Sequence, residues 1–300
     1  MTAIQYEWIE EGRGLIRPEV EWVFHTRAPL VQICHTAETR ETVALDIAGY
    51  LYRLNADGKV KRQGRGFKQA SHLDWSADGE LGVLCEGAFR IALLDRHFDV
   101  EWDAKFREDI RAVAISHNGD YLAAALNDSR TLIYDRFKKR VGSAGTKRSL
   151  DTLRFAWEDD AIIGTSDVGM LCSFSIEGKI DWSLATNARS GDLEVNLNAS
   201  RLFLAAQSKG IQVYDGHGEL EGAYQVKGSA RRIALSPFGS RLAVVTAEDL
   251  LLWMNLEGKI LWAGIAPEQI VSIECDGFGS RLFLGMESGE VCCLSWSQEN

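Results

Sequence analysis

Four ionisable residues share one recurring position: Asp74, Arg154, Glu194 and Glu274, whose numbers differ by 40 or by twice 40. Gathered in one place, carboxylates around a guanidinium can do acid–base work or hold a cation, because each group sets the charge state of its neighbours. His72, Asp192 and Arg232 form a second set in the same frame, two positions earlier in each step. The same residues can instead neutralise one another in a solvated channel. That plainer reading is preferred, since spacing along a chain is not distance in space. No catalytic residue is nominated: the chain has no Gly-x-Ser-x-Gly elbow and no phosphate loop. Metal is not expected, because none of the six cysteines (Cys34, Cys85, Cys172, Cys275, Cys292, Cys293) forms a C-x-x-C pair and the six histidines are scattered.

A shared spacing requires a repeating element to produce it. Gly239-Ser240-Arg241-Leu242 returns one step later as Gly279-Ser280-Arg281-Leu282, and in weaker form one step earlier as Ala199-Ser200-Arg201-Leu202. Asn55, Asp95, Asp135, Ser175, Asp215, Asn255 and Ser295 follow at the same step. Trp22, Trp102, Trp182 and Trp262 keep twice that period. Three series in phase across the chain define seven equal units, each about 40 residues long, preceded by a leader.

Each unit reads as four short strands. In the sixth, Arg232-Ile233-Ala234-Leu235, Leu242-Ala243-Val244-Val245, Leu250-Leu251-Leu252-Trp253-Met254 and Lys259-Ile260-Leu261-Trp262 are separated by Gly, Asp, Asn and Ser clusters. Continuous apolar runs imply burial on both faces, as when sheets stack on sheets. A four-stranded unit of this length is a propeller blade. The seventh unit stops after its third strand, Val291-Cys292-Cys293-Leu294, while Glu19-Val20-Glu21-Trp22-Val23-Phe24 is in phase with the fourth strands. The expectation is an all-β, seven-bladed β-propeller over residues 19–300, with the N-terminal strand completing the last blade and leaving no open edge. Residues 1–18, with Ile4, Tyr6, Trp8, Leu15 and Ile16, are expected to pack on the disc.

The run Gly49-Tyr50-Leu51-Tyr52-Arg53-Leu54-Asn55-Ala56-Asp57-Gly58-Lys59-Val60, together with Gly169 to Trp182 and Asp249 to Trp262, resembles the repeat of quinoprotein-type propellers. The resemblance covers the whole array and points to the WD-repeat and quinoprotein-like superfamily. The Gly-His and Trp-Asp dipeptides of true WD repeats are missing, and the hairpin is one residue shorter than the usual quinoprotein one. Quinone-dependent members bind a metal beside their cofactor; nothing in this chain supplies either, so the resemblance implies a fold and no activity, and no cofactor is expected.

In such a ring the first strands line the channel. One layer is Gln32, His72, Ala112, Thr152, Asp192, Arg232 and Ser272; the other is Cys34, Asp74, Ala114, Arg154, Glu194, Ala234 and Glu274. Two runs without a single acid stand out at the rim: Lys59, Lys61, Arg62, Arg65 and Lys68, and Arg136, Lys138, Lys139, Arg140, Lys147 and Arg148. They can dock a partner protein with an acidic surface, or simply protect outer strands from pairing with other sheets.

Composition narrows the partners. With 33 Lys+Arg against 43 Asp+Glu the net charge is −10, which argues against general affinity for nucleic acid. An apolar content of 46% is too high for disorder, and no apolar stretch is long enough to span a bilayer. The start lacks the features of a secretory signal, and reduced buried thiols suit the cytoplasm. The function expected is therefore a non-catalytic interaction scaffold or adaptor in a cytoplasmic assembly. The competing reading is a ligand-binding or hydrolytic propeller using the channel mouth.

Overall fold

The computed structural model describes residues 6–157, 161–238 and 240–296. Gly239 of the repeat series and residues 1–5 of the leader lie outside these. Seven antiparallel sheets follow one another, six of four strands and one of five, and in blades one to six the four blade strands lie in sequence order. Blade one, for example, is Leu30–Thr36, Glu41–Asp46, Tyr50–Leu54 and Val60–Arg65. Blade three is Ile110–Ile115, Tyr121–Leu126, Arg130–Asp135 and Arg140–Gly145. Blade seven takes Ile270–Cys275, Arg281–Met286 and Glu290–Ser295 from the C-terminal end, and Glu19–His25 as its outer strand. That outer strand is bonded in register with Val23 opposite Cys292 and Phe24 opposite Val291. The chain's two ends are thus joined by main-chain hydrogen bonds, and the ring has no unpaired blade.

The periodic Asn and Asp residues close the outer hairpins. Asp135 Oδ1 accepts from the amides of Phe137 and Lys139, and Asn55, Asp95 and Asp215 do the same two and four residues on. A short side-chain acceptor at the first turn position is what such a hairpin needs. The turn also needs one residue at positive φ. Gly58 supplies it in blade one at +73°, and Lys138 adopts it in blade three at +71°.

The periodic tryptophans tie blade to blade. Trp22 Nε1 donates to the Ala56 carbonyl at 3.0 Å, Trp102 to Arg136 at 2.9 Å and Trp182 to Gly216 at 2.9 Å. Each acceptor lies in the outer hairpin of the next blade. In blade one, which has no tryptophan there, Arg62 Nε makes the same reach to the His97 carbonyl at 3.1 Å. Blade three has Gly142, where a Cβ would stand 2.1 Å from the Ile176 carbonyl oxygen, so the next hairpin packs directly on its backbone.

Blade six differs. Trp262 meets Trp296 in an edge contact at 6.4 Å, and Trp296 stacks on Trp253 at 4.3 Å. The helix Glu7–Glu11 places Trp8 against Trp262 at 5.9 Å, and Arg13–Gly14 pairs with Ala263 and Trp262 as a fifth strand.

Candidate functional site

First strands carry a register shift in five blades, immediately before Gln32, His72, Ala112, Arg232 and Ser272. A bulge of this kind increases twist and re-aims side chains. Blades four and five reach the same arrangement without a shift, so it is strand alternation that separates the polar channel positions from Ile33, Leu73, Val113, Leu153, Leu193, Ile233 and Ile273, which are buried between blades. The channel is divided at Arg154, which with Glu274 lines the spaces on both sides of it.

One chamber, of about 240 Å³, holds His72, Arg154, Asp192, Arg232 and Glu274. Most of its polar groups are occupied in bridging blades. Asp192 accepts from the amides of Leu193 and Ile233, Arg232 Nε donates to the Val271 carbonyl at 3.2 Å, and Gln32 exchanges two hydrogen bonds with Leu73. Burial, with Arg111 and Arg232 close by, pushes the His72 imidazole below its ordinary pKa.

The other chamber, of about 160 Å³, opens on the face of the turns between first and second strands and holds Asp74, Arg154, Glu194 and Glu274. Arg154 donates from Nε and Nη2 to Glu194 Oε1 at 3.1 and 3.0 Å, and its Nη2 lies 3.5 Å from Asp192. Asp74 accepts from the amides of Trp75 and Ile115. Burial opposes the charge on Arg154, but Glu194, Asp192, Asp74 and Glu274 more than offset it and raise its pKa. Burial pushes the Glu194 carboxyl up to about 7 against the pull of Arg154. Glu274 is pushed well above the ordinary carboxylate range by burial and by the negative charge of Glu194. Among the described residues Glu274 has no hydrogen-bond donor or ion-pair partner, and no group of three or more His, Cys, Asp or Glu could hold a metal ion.

His117 and Trp157 line the first-turn end of this chamber and begin an aromatic chain that the period did not single out. His117 stacks on Trp157 at 5.1 Å and 11°, Trp157 meets Phe238 edge-on at 5.3 Å, and Phe238 lies 5.8 Å from Phe278. Phe238 and Phe278 are exposed. These residues occupy the first turns of blades three, four, six and seven, so following the repeat along those turns is the signal that finds them. The turns are linked blade to blade: Glu38 N donates to Ala77 O, Ala77 N to His117 O, Trp157 N to Leu197 O and Phe238 N to Gly277 O, at 2.7–3.1 Å.

The two basic runs are spread from one face of the disc to the other. Lys61, Arg62, Arg65 and Arg140 lie on fourth strands. Lys59, Arg136, Lys138 and Lys139 lie in the hairpins before those strands, and Lys68, Lys147 and Arg148 in the loops after them. Several are engaged within the chain. Lys61 Nζ pairs with Glu41, Arg62 makes the tie described above, and Arg148 donates to the Val168 carbonyl. Arg136 stands 3.8 Å from Asp120, and Lys138 Nζ lies 6.0 Å from the centre of the Trp102 ring. Blade three's hairpin adds a residue that charge counting missed: Phe137, 81% exposed, among Arg136, Lys138, Lys139 and Arg140. An aromatic residue in the middle of a basic hairpin is the signal for it.

The fold and its channel define the class: the chain is an all-β, seven-bladed β-propeller, with four antiparallel strands to a blade. No family model and no curated protein matches it. Among solved structures it is similar to the β-propeller domain of Cps50 (Swd1) from Myceliophteria thermophila, with a TM-score of 0.79 over 93% of this chain and 100% of that one, at 16% identity. With 1804 solved chains matching, the likeness carries the fold and leaves function to the sites.

Proposed function

We propose that the protein is a non-catalytic interaction platform, an adaptor in a cytoplasmic assembly, and that blade three's outer hairpin docks an acidic protein surface. The observation that carries this reading is Phe137, 81% exposed at the tip of a hairpin closed by Asp135 and surrounded by four cations. A large aromatic left in water on a rigid turn is an anchor awaiting a pocket, and the surrounding charges steer an acidic partner onto it. The cytoplasmic setting is supported by six buried, unpaired cysteines. No helix of the described residues is long and apolar enough to cross a membrane.

The enzymatic alternative is weaker because three of the four channel carboxylates are occupied by structure: Asp74 and Asp192 cap main-chain amides of neighbouring blades, and Glu194 pairs with Arg154. A photo-crosslinking residue at position 137, compared with one at the equivalent hairpin position 217, tests the proposal. One stoichiometric partner should be captured from native extract at 137 alone. Lys138→Glu/Lys139→Glu/Arg140→Glu should then weaken its binding at least about tenfold. Equal capture at both positions, or an unchanged affinity after charge reversal, would refute the docking role.

A further inference from the structure

We propose that the cavity between blades seven and one binds a small aromatic anion, a planar ring carrying one carboxylate or phosphate. The site lies on a different part of the ring from the blade-three hairpin and does not rest on the docking role of that hairpin. At about 380 Å³ the cavity is larger than either channel chamber and falls within the range of small-ligand clefts. Its walls include Glu21, Phe278, Arg281 and Phe283 of blade seven, with His35 and Arg40 of blade one.

The repeat explains both the space and its charge. In the seam between blades one and two, Arg53 donates to Glu41 Oε2 at 2.9 Å and to the Gly79 carbonyl at 3.2 Å, and lies over the Trp75 ring at 4.7 Å. Six repeat steps later the equivalent residue is Cys293, paired opposite Phe283 as Arg53 is opposite Val43. Phe283 fills the inner part of its seam by stacking on His35 at 4.1 Å. A thiol is too short to reach the next blade, and His35 is smaller than Trp75 at the matching position, so the outer end stays open. The charges are also reversed. Arg281 stands where blade one has Glu41, and Arg40 where blade two has Glu80. One seam seats a guanidinium against a carboxylate; the other presents two guanidinium groups to a cavity, the arrangement that recognises carboxylate or phosphate.

Both arginines have donors to spare. Arg281 gives Nε and Nη2 to Glu21 at 3.1 and 2.7 Å, and its Nη1 has no partner among the described residues. The Arg40 side chain makes no hydrogen bond or ion pair with any described residue. The acids of the cavity are spent internally. Glu21 is held by Arg281, and Asp276 accepts from the amides of Ser280 and Arg281 and from the Ser280 hydroxyl at 2.7–2.9 Å. The uncommitted charge is therefore positive. The aromatic wall supplies the second half of the recognition: the ring of Phe278 is 65% exposed beside the His35–Phe283 stack. Burial lowers the His35 imidazole to about 4 against the pull of Asp276, so near neutral pH it is an uncharged ring. An anion anchored on Arg40 and Arg281 brings its own ring onto these aromatic groups.

The test titrates the full chain, labelled with nitrogen-15 in its six histidines, with phenylacetate and with phenyl phosphate. The His35 ring resonance is assigned by its loss in His35→Phe. At least one of the two aromatic anions should shift that resonance saturably. Binding of phenylacetate alone assigns a carboxylate, binding of phenyl phosphate alone a phosphate, and binding of both leaves either anion able to enter. The uncharged 2-phenylethanol and the ringless acetate and inorganic phosphate should each bind at least about fivefold more weakly than the aromatic anion. Arg40→Glu places there the residue that blade two carries and should weaken the aromatic anion at least about fivefold. No saturable shift from either aromatic anion, equal binding of the alcohol or of a ringless anion, or an unchanged affinity in Arg40→Glu would overturn the proposal. If Arg40→Glu does not fold, the ranking of the probes on the unmodified sequence decides alone.

Discussion

Replacing Glu41 with glutamine should be among the most damaging conservative changes in the molecule. Arg53 and Glu41 are about 3% and 4% exposed, and Nη1 of Arg53 donates to Glu41 Oε2 at 2.9 Å and to the Gly79 carbonyl at 3.2 Å. The guanidinium lies over the Trp75 and Phe98 rings at 4.7 and 5.5 Å, which leaves Nε and Nη2 without hydrogen-bond partners. Burial acts to raise the Glu41 pKa, but hydrogen bonds from Lys61 and Arg53 outweigh it and hold the carboxyl below its ordinary value. Glu41→Gln therefore strands a buried cation between blades one and two, a loss of about 3–5 kcal/mol. Lys61 is half exposed, at 49%, so Lys61→Met should cost no more than about 1 kcal/mol. The pair Glu41→Leu/Arg53→Met removes both charges together and should recover most of the loss, because two apolar side chains can fill the same space. Urea unfolding at neutral pH followed by circular dichroism ranks the variants. Equal costs for Glu41→Gln and Lys61→Met, or a double variant no better than Glu41→Gln, would refute the reasoning. A small effect of Lys61→Met on stability also makes that variant a clean probe of whether this lysine has any role in partner binding.

Two further outcomes follow from groups already described. The Glu194 carboxyl sits at about 7 in the folded chain against an ordinary 4.5, so the folded state holds the proton more tightly than the unfolded one. The resulting stabilisation is complete below about pH 4.5 and fades as pH rises through about 7, by at most about 3 kcal/mol. Arg154, Asp192 and Asp74 act on this group and Glu274 is coupled to it, and Glu194→Gln should flatten the stability curve between those two values; an unchanged slope would contradict the assignment. All six cysteines are buried, and burial raises every thiol, Cys172 to about 12. A pulse of iodoacetamide in mildly alkaline buffer, read by mass spectrometry, should leave the native protein unmodified and label it only after unfolding.

Much of the architecture could be read along the chain because its causes are local or strictly periodic. The outer hairpins are closed by an acceptor at Asn55, Asp95 or Asp135 acting on amides two and four residues away, so a repeat of that residue type is a repeat of the turn. The truncated seventh unit and the unpaired Glu19–Phe24 run implied closure, because strands left unpaired in a ring would expose main-chain donors. The same period grouped the candidate channel residues, yet their individual roles did not follow from it. Asp74 and Asp192 serve amides of neighbouring blades, Glu194 takes Arg154, and Glu274 is left alone, although all lie in equivalent strands. The basic run at Lys61 and Arg62 looked free by composition. Its side chains reach a buried Glu41 and the His97 carbonyl, which lie 20 and 35 residues away.

The amino-acid order alone determined the number of blades and the strand order within them, since each depends on hairpins whose partners are near in sequence, and it implied the closure because one unit lacks a strand and another segment is in phase to supply it. Only the assembled ring decided that Glu274 would have no donor among the described residues, that Phe137 would stand in water, and that His117, Trp157, Phe238 and Phe278 would meet in one chain of rings. Those outcomes depend on how each first strand is seated in the ring and how closely neighbouring blades approach. Such distances join residues that are one or several blades apart along the chain. They are set by the packing of the whole ring and by no single stretch of sequence.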